Sequence, residues 1–99
     1  MPWGSPIEIE RRRRILLSIW AYAYEFENDS LVSDVRFDKE ARLVDVSVST
    51  GNPKLDAFFR EHFQPDTGMW VQNHPELNKL TRIYIRYYKN QPRSPRYWN

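Results

Sequence analysis

Residues 24–38 read Y-E-F-E-N-D-S-L-V-S-D-V-R-F-D and contain the end of one predicted helix, a turn and the start of another. Residues 28–30 are typical of a turn, because short polar side chains hydrogen-bond to nearby backbone. Ser33 then provides an N-cap, and Asp34 places a negative charge at the positive end of the helix dipole. The stretch therefore predicts two antiparallel helices joined by a short turn.

The first helix of this hairpin has a strong start signal. Ser5 can cap it, Pro6 suits the first helical position, and Glu8 completes a capping box. We expect the helix to continue to about Phe26, because apolar residues recur at helical spacing. These residues are Ile15, Leu16, Ile19, Trp20, Ala23 and Phe26. Trp20 is expected to be largely buried.

The far end of the second helix is ambiguous in the sequence. Its apolar positions include Val35, Ala41 and Val44, which suit a helix. Residues 44–49 also alternate as V-D-V-S-V-S, which is typical of a strand. A lone short strand would lack a pairing partner, so we expect helix to about Val46 and irregular backbone up to Gly51.

Two further helices follow. Residues 52–53 (N-P) begin the third, whose apolar face is Leu55, Phe58, Phe59 and Phe63. After a loop at residues 64–68 and an apolar anchor at 69–71, a capping box at 73–76 begins the last helix. Its repeating residues are Leu77, Leu80, Tyr84, Tyr87 and Tyr88. Pro92 and Pro95 end it.

The sequence therefore predicts an all-α single domain over residues 5–89 and a basic, flexible C-terminal tail over 90–99. Its 99 residues suit one core, and the absence of cysteine excludes disulfides and thiolate metal sites. No apolar run approaches the roughly 20 residues of a membrane helix, and the start does not resemble a signal peptide. We expect a cytoplasmic protein with no membrane partner.

The hairpin carries the first candidate site. Asp34, Phe37 and Asp38 share a helix face, and the antiparallel turn brings Tyr24 beside them. Carboxylates accept hydrogen bonds from hydroxyls and amides, and an aromatic face attracts a cationic ring. The alternative is purely structural: Asp34 serves the helix dipole, Asp38 is solvated, and the two aromatic rings belong to the core.

This stretch resembles the small N-terminal helical domain of NAD-dependent DNA ligases. Tyr24 matches the first tyrosine of that family's motif, Asp34 and Asp38 match its two aspartates, and Phe37 stands where the family has a tyrosine. Glu25 replaces a histidine. The resemblance covers about a third of the chain. It implies a helical hairpin that binds the nicotinamide mononucleotide half of NAD.

The resemblance does not extend to ligase chemistry. The nucleotidyl-transfer motif Lys-x-Asp-Gly is absent, so we expect no ligase activity and no enzyme. Nor does the chain have a Gly-rich phosphate loop or a nucleophilic triad. The two histidines, His62 and His74, lack metal-ligand spacing. The chain looks like one of the small "DNA ligase-like" proteins of phages and bacteria, with no cofactor beyond a potential NAD or nicotinamide mononucleotide.

The last helix carries the second candidate site. Lys79, Arg82, Arg86 and Lys89 form a basic stripe, and Arg93, Arg96, Tyr97 and Trp98 extend it into the tail. Basic side chains bind phosphate and aromatic rings stack on bases, which favours nucleic acid. A solvated helix face is the alternative. Four consecutive arginines, Arg11 to Arg14, point around most of a helix, so we interpret them mainly as a solvated face in which at least one pairs with Glu8 or Glu10.

These patterns predict a non-enzymatic binding protein of phage or bacterial accessory type. Its partner would be nucleic acid or an acidic protein surface, held by the last helix and tail. One alternative is a binder of an NAD-type nucleotide at the hairpin. Another is an interaction module that modulates a host protein.

Overall fold

The computed structural model describes residues 4–91 of the chain. This range contains four α-helices and one short 3-10 helix, joined by turns and loops. The elements are α1 (Pro6–Glu27), α2 (Asp34–Arg42), α3 (Pro53–His62), the 3-10 helix (Met69–Asn73) and α4 (Leu77–Tyr87). This range contains no strand, so the all-α prediction is confirmed. None of its helices is both long and apolar enough to cross a bilayer.

Three helices begin at the caps that the sequence predicts. The Ser5 hydroxyl accepts the backbone N–H of Glu8, and the Glu8 carboxylate accepts the backbone N–H of Ser5, both at 3.2 Å. Ser33 and Asn52 cap α2 and α3 in the same way, through one side-chain oxygen each. Each cap satisfies an amide that has no partner within its helix, which sets where the helix begins.

The first two helices form the predicted antiparallel hairpin. Arg13, in the first half of α1, pairs with Glu40 near the end of α2 at 3.2 Å. Further along α1, the Trp20 ring lies 6.5 Å from the ring of Phe37, which is closer to the start of α2. Trp20 is only 6% exposed, as expected. Asn28, with φ of 52°, ends α1 in the left-handed conformation that asparagine tolerates.

The central element is α1, which packs against α2, α4 and the 3-10 helix. Residues 17–23 are all buried, because neighbours cover the helix on several sides. Two of the apolar residues that recur along α1 are nevertheless about half exposed: Ile15 at 45% and Phe26 at 48%. A helix surrounded in this way has no one apolar face, so spacing alone cannot identify the buried residues.

An aromatic cluster fills the space between α3 and the 3-10 helix. The Trp70 ring lies 5.3 Å from Phe59 and 5.2 Å from Phe63, and Phe58 completes the group at 6.2 Å. Val71 is fully buried beside it. The phenylalanines of the predicted α3 face and the last two residues of the predicted anchor therefore lie in or against the core, whereas Met69 of that anchor is 59% exposed.

Residues 43–46 do not continue the helix as predicted, and residues 43–49 do not form the alternative strand; the irregular backbone predicted from there to Gly51 is confirmed. The second helix ends at Arg42, and the following residues form a turn. In a continued helix the backbone N–H of Asp45 would donate to Ala41, but it donates to Glu10 of α1 at 3.2 Å. The carbonyls of Asp45 and Val48 both accept from Arg14. Side chains of α1 thus form hydrogen bonds with backbone N–H and carbonyl groups that a continued helix would use.

The last helix also departs from expectation at its start. Glu76 is the N-cap and makes no side-chain cap bond, so the predicted capping box at residues 73–76 was wrong. Instead, Nδ1 of His74 accepts the backbone N–H of Glu76 at 3.0 Å. Leu80 and Tyr84 are buried against α1, whereas Tyr87, predicted in the apolar face, is 56% exposed.

Candidate functional site

The four residues predicted from the hairpin line one cleft of about 360 Å³. Tyr24 comes from the last turn of α1, and α2 contributes Asp34, Phe37 and Asp38. Residues 66–68 close the far side. The structural alternative was partly wrong, because Tyr24 is 57% exposed and therefore does not belong to the core.

The hairpin cleft is acidic. Besides Asp34 and Asp38, Glu25 and Asp66 line it, and Trp20 forms part of its wall. Two of these carboxylates already have partners: Arg42 contacts Asp66 at 3.4 Å and the Gln72 amide donates to Glu25 at 3.4 Å. Carboxylates and aromatic rings together favour hydroxyls, amides or a cationic ring, and they disfavour phosphate.

A basic face lies on α4 and just beyond it. Lys79, Arg82, Arg86 and Lys89 are all exposed, and none forms an ion pair with a carboxylate of residues 4–91. The Arg86 guanidinium lies 5.5 Å from the centre of the exposed Tyr87 ring. We call these five residues the basic face.

The opposite side of α4 holds this face in place. Tyr84 is 4% exposed, and its hydroxyl donates to Asp29 at 2.7 Å. Its ring lies 5.8 Å from that of Tyr22 on α1. Burial raises the pKa of the Tyr22 hydroxyl above its ordinary value. The basic side chains are thus displayed on a helix that is anchored to the central element of the core.

Charge is divided unevenly along the chain. All thirteen acidic residues lie before Leu77, together with nine of the fifteen basic residues. The remaining six basic residues lie after Glu76, with no acid among them. A chain with a net charge of only +2 therefore has one strongly basic end and an acidic remainder. The predicted tail residues of this end lie outside the described residues: Arg93, Arg96, Tyr97 and Trp98.

The arginine run contains a buried network that the sequence analysis missed. Arg14 is 5% exposed, and it donates to Glu10 at 2.7 Å and to Asp56 of α3 at 2.9 Å. Burial alone would raise the pKa of the Asp56 carboxyl, but hydrogen bonds from Thr50 and the charge of Arg14 outweigh it and hold that pKa below its ordinary value. The predicted pairing within the run is confirmed, since Arg13 and Arg14 both contact Glu10.

A second cleft, of about 330 Å³, lies between α1, α3 and α4. It adjoins the buried network, because Arg14 and Thr50 both line it. His74 lines it too and is 8% exposed. Burial lowers the pKa of the His74 imidazole to about 4, so the ring is neutral at neutral pH. No sequence motif marks this cleft, which brings together three separate segments.

Within residues 4–91, no group of three or more histidine or carboxylate side chains is placed to hold a metal ion. Comparison of the chain with protein-family models, curated proteins and solved structures finds no match. The resemblance to DNA ligases therefore stays a prediction based on the hairpin residues alone.

Proposed function

We propose that this chain is a non-enzymatic binding protein whose basic face docks on nucleic acid. The observation that carries the proposal is a row of exposed cations with no carboxylate partner among residues 4–91, on an anchored helix. Unpaired cations are available to replace the counterions around phosphates, and the release of those counterions drives binding.

The spacing of the basic face suits a phosphate backbone. Residues 79–86 span about 10 Å of helix at 1.5 Å per residue. One strand of a B-form duplex places a phosphate about every 3.4 Å along its axis, so roughly three phosphates fall within this span. Exposed Tyr87 adds a ring that can stack on an unpaired base. Both forms of nucleic acid offer phosphates, so the stacking of Tyr87 on an unpaired base is the contact that favours single strands over duplex.

The test is the salt dependence of binding to a fluorescent single-stranded oligonucleotide, followed by anisotropy. Each lost phosphate contact flattens the plot of log affinity against log salt by about one unit or slightly less. Arg82→Ala/Arg86→Ala should therefore lower the slope by about two, without unfolding α4, because alanine is the best helix former.

The matched control is Lys54→Ala/Arg60→Ala, which removes two exposed cations from α3. It lowers the net charge equally but should leave the slope nearly unchanged. If the slope decreased equally in both double variants, binding would depend only on overall charge, which would contradict a defined basic face. If the parent protein binds no nucleic acid at low salt, the partner is instead an acidic protein surface, consistent with the alternative of a host-modulating module.

The hairpin cleft supports a second candidate, a binder of an NAD-type nucleotide. Its support is that Tyr24, Asp34, Phe37 and Asp38 line one cleft, in which the carboxylates can accept ribose hydroxyls or the amide while the aromatic side chains flank a cationic ring. The phosphate would have to lie away from the carboxylates. This function concerns binding alone, because the chain has no lysine in a nucleotidyl-transfer motif.

Nicotinamide mononucleotide is the direct probe for this second candidate. A charge-assisted hydrogen bond contributes about 1.5–3 kcal/mol, so Asp38→Ala should weaken binding at least about tenfold in calorimetry. Asp45→Ala, outside the cleft, provides a control with the same loss of charge. Unchanged affinity in Asp38→Ala, or no heat of binding at millimolar nucleotide, would exclude this function.

A further inference from the structure

The cleft between α1, α3 and α4 has the lining of a small-molecule site. Its walls include the apolar side chains of Leu55, Phe59, Leu80 and Ile83. Its volume of about 330 Å³ is at the lower end of the range for ligand sites, which start at about 300 Å³. It is separate from the hairpin cleft and shares only Lys79 with the basic face.

Positive charge dominates the polar part of this cleft. Arg11 and Lys79 line it as exposed cations without a carboxylate partner among residues 4–91. Arg14 also lines it, but its charge is balanced by the buried carboxylates that it contacts. Glu76 is the one acidic residue in the lining. Its negative charge makes a doubly charged phosphate a poorer ligand than a singly charged group.

The polar groups are already held in position. One terminal nitrogen of Arg11 donates to the backbone carbonyl of Thr50, which orients the guanidinium at the cleft. His74 is fixed as one tautomer, because its Nδ1 accepts the Glu76 amide and the single proton of the neutral ring must be on Nε2. A fixed guanidinium fork matches a carboxylate and loses little freedom when it binds one.

We propose that this cleft binds a small amphiphilic carboxylate of the fatty-acid type. The hydrocarbon chain would lie against the apolar wall, and the carboxylate would accept hydrogen bonds from Arg11 and Lys79. The proposal does not depend on nucleic-acid binding, because Lys79 is the one residue that the cleft shares with the basic face.

Sodium octanoate is the probe, and two molecules with the same chain are its controls: octan-1-ol, which is neutral, and octylammonium, which is cationic. In ¹H–¹⁵N NMR spectra of the protein, octanoate should give saturable shifts at Leu55, Leu80 and Ile83. Octanol should bind at least about tenfold more weakly, since it lacks the charge-assisted contacts, and octylammonium more weakly still. Equal affinity for all three, or shifts confined to other regions, would overturn the proposal.

Two isoleucines on α1 supply matched variants. Ile15 lines the cleft and Ile7 does not, yet each is 45% exposed. Ile15→Glu should abolish octanoate binding by repelling the carboxylate, and Ile7→Glu should leave it unchanged. Arg11→Gln should weaken binding at least about tenfold while the amide spectrum stays folded. If Ile15→Glu and Arg11→Gln both bind octanoate as the parent does, the cleft is not the site.

Discussion

At the scale of single residues, three consecutive arginines of α1 have different environments. Arg12 is exposed, Arg13 is partly buried between Glu10 and Glu40, and Arg14 lies in the core. The deciding partner of Arg14 is Asp56, which is 42 residues away in the sequence. No pattern within the run could single out Arg14, because the choice depends on how α3 packs against α1.

Because Arg14 belongs to the buried network and Arg12 is exposed, substitutions of these two arginines should have very different effects on stability. Arg14→Met leaves the buried Asp56 carboxylate without a cation and removes the closer of the two cations at Glu10, so it should lower the free energy of unfolding by about 3–5 kcal/mol. Arg12→Met removes the same charge from the exposed side and should change it by less than about 0.5 kcal/mol. Urea denaturation measures both. Equal stability of the two variants would contradict the burial of Arg14.

The lowered pKa of buried His74 predicts that the stability of the folded protein depends on pH. Its pKa falls from 6.5 to about 4 on folding, so between these values the unfolded chain binds more protons. Stability should therefore be full above about pH 6.5 and decrease as the pH falls towards 4, by up to about 3 kcal/mol.

The contribution of His74 can be separated by denaturation at several pH values. His74→Asn keeps an acceptor for the Glu76 amide but cannot titrate, so the loss of stability between pH 6.5 and 4 should largely disappear. His62→Asn, at an exposed position, should keep the loss. A parent protein with constant stability over this range would show that His74 is not buried in its neutral form.

At the scale of elements, local signals predicted most of the structure. Ser5, Ser33 and Asn52 cap their helices through bonds within three residues, which a sequence pattern can identify. The prediction was wrong where distant contacts decide the backbone, as at residues 43–46, where a helix was expected. It was also wrong at the start of α4, where a buried histidine takes the place of a capping box.

The N-cap of α2 should contribute measurably to the stability of the protein. The Ser33 hydroxyl accepts the backbone N–H of Arg36 at 3.1 Å, and its loss in Ser33→Ala should cost about 1 kcal/mol of stability. Ser30→Ala, in the turn before the cap, should cost less than about 0.5 kcal/mol. Thermal unfolding of the two variants makes the comparison, and no difference between them would show that Ser33 does not cap α2.

At the scale of the whole molecule, the all-α class and the antiparallel hairpin could be predicted from the sequence. The four hairpin residues meet at one cleft because spacings of three and four and a short turn bring them together. The acidity of that cleft could not be predicted, since Asp66 comes from a distant loop. Nor could the cleft between α1, α3 and α4, which exists only once three segments have packed.

The division of charge is the property of the whole molecule that bears most on function. An acidic hairpin cleft and an exposed basic face belong to the same small domain, so each surface favours ligands of opposite charge. A polyanion should therefore bind at α4 and avoid the hairpin.

The most direct test of whether a polyanion binds at α4 is an NMR titration of ¹⁵N-labelled protein with a short single-stranded oligonucleotide at low salt. We expect saturable shifts at Lys79, Arg82, Arg86 and Tyr87, with none around Asp34 and Asp38. Shifts that centre on the hairpin cleft, or an unchanged spectrum, would contradict this expectation.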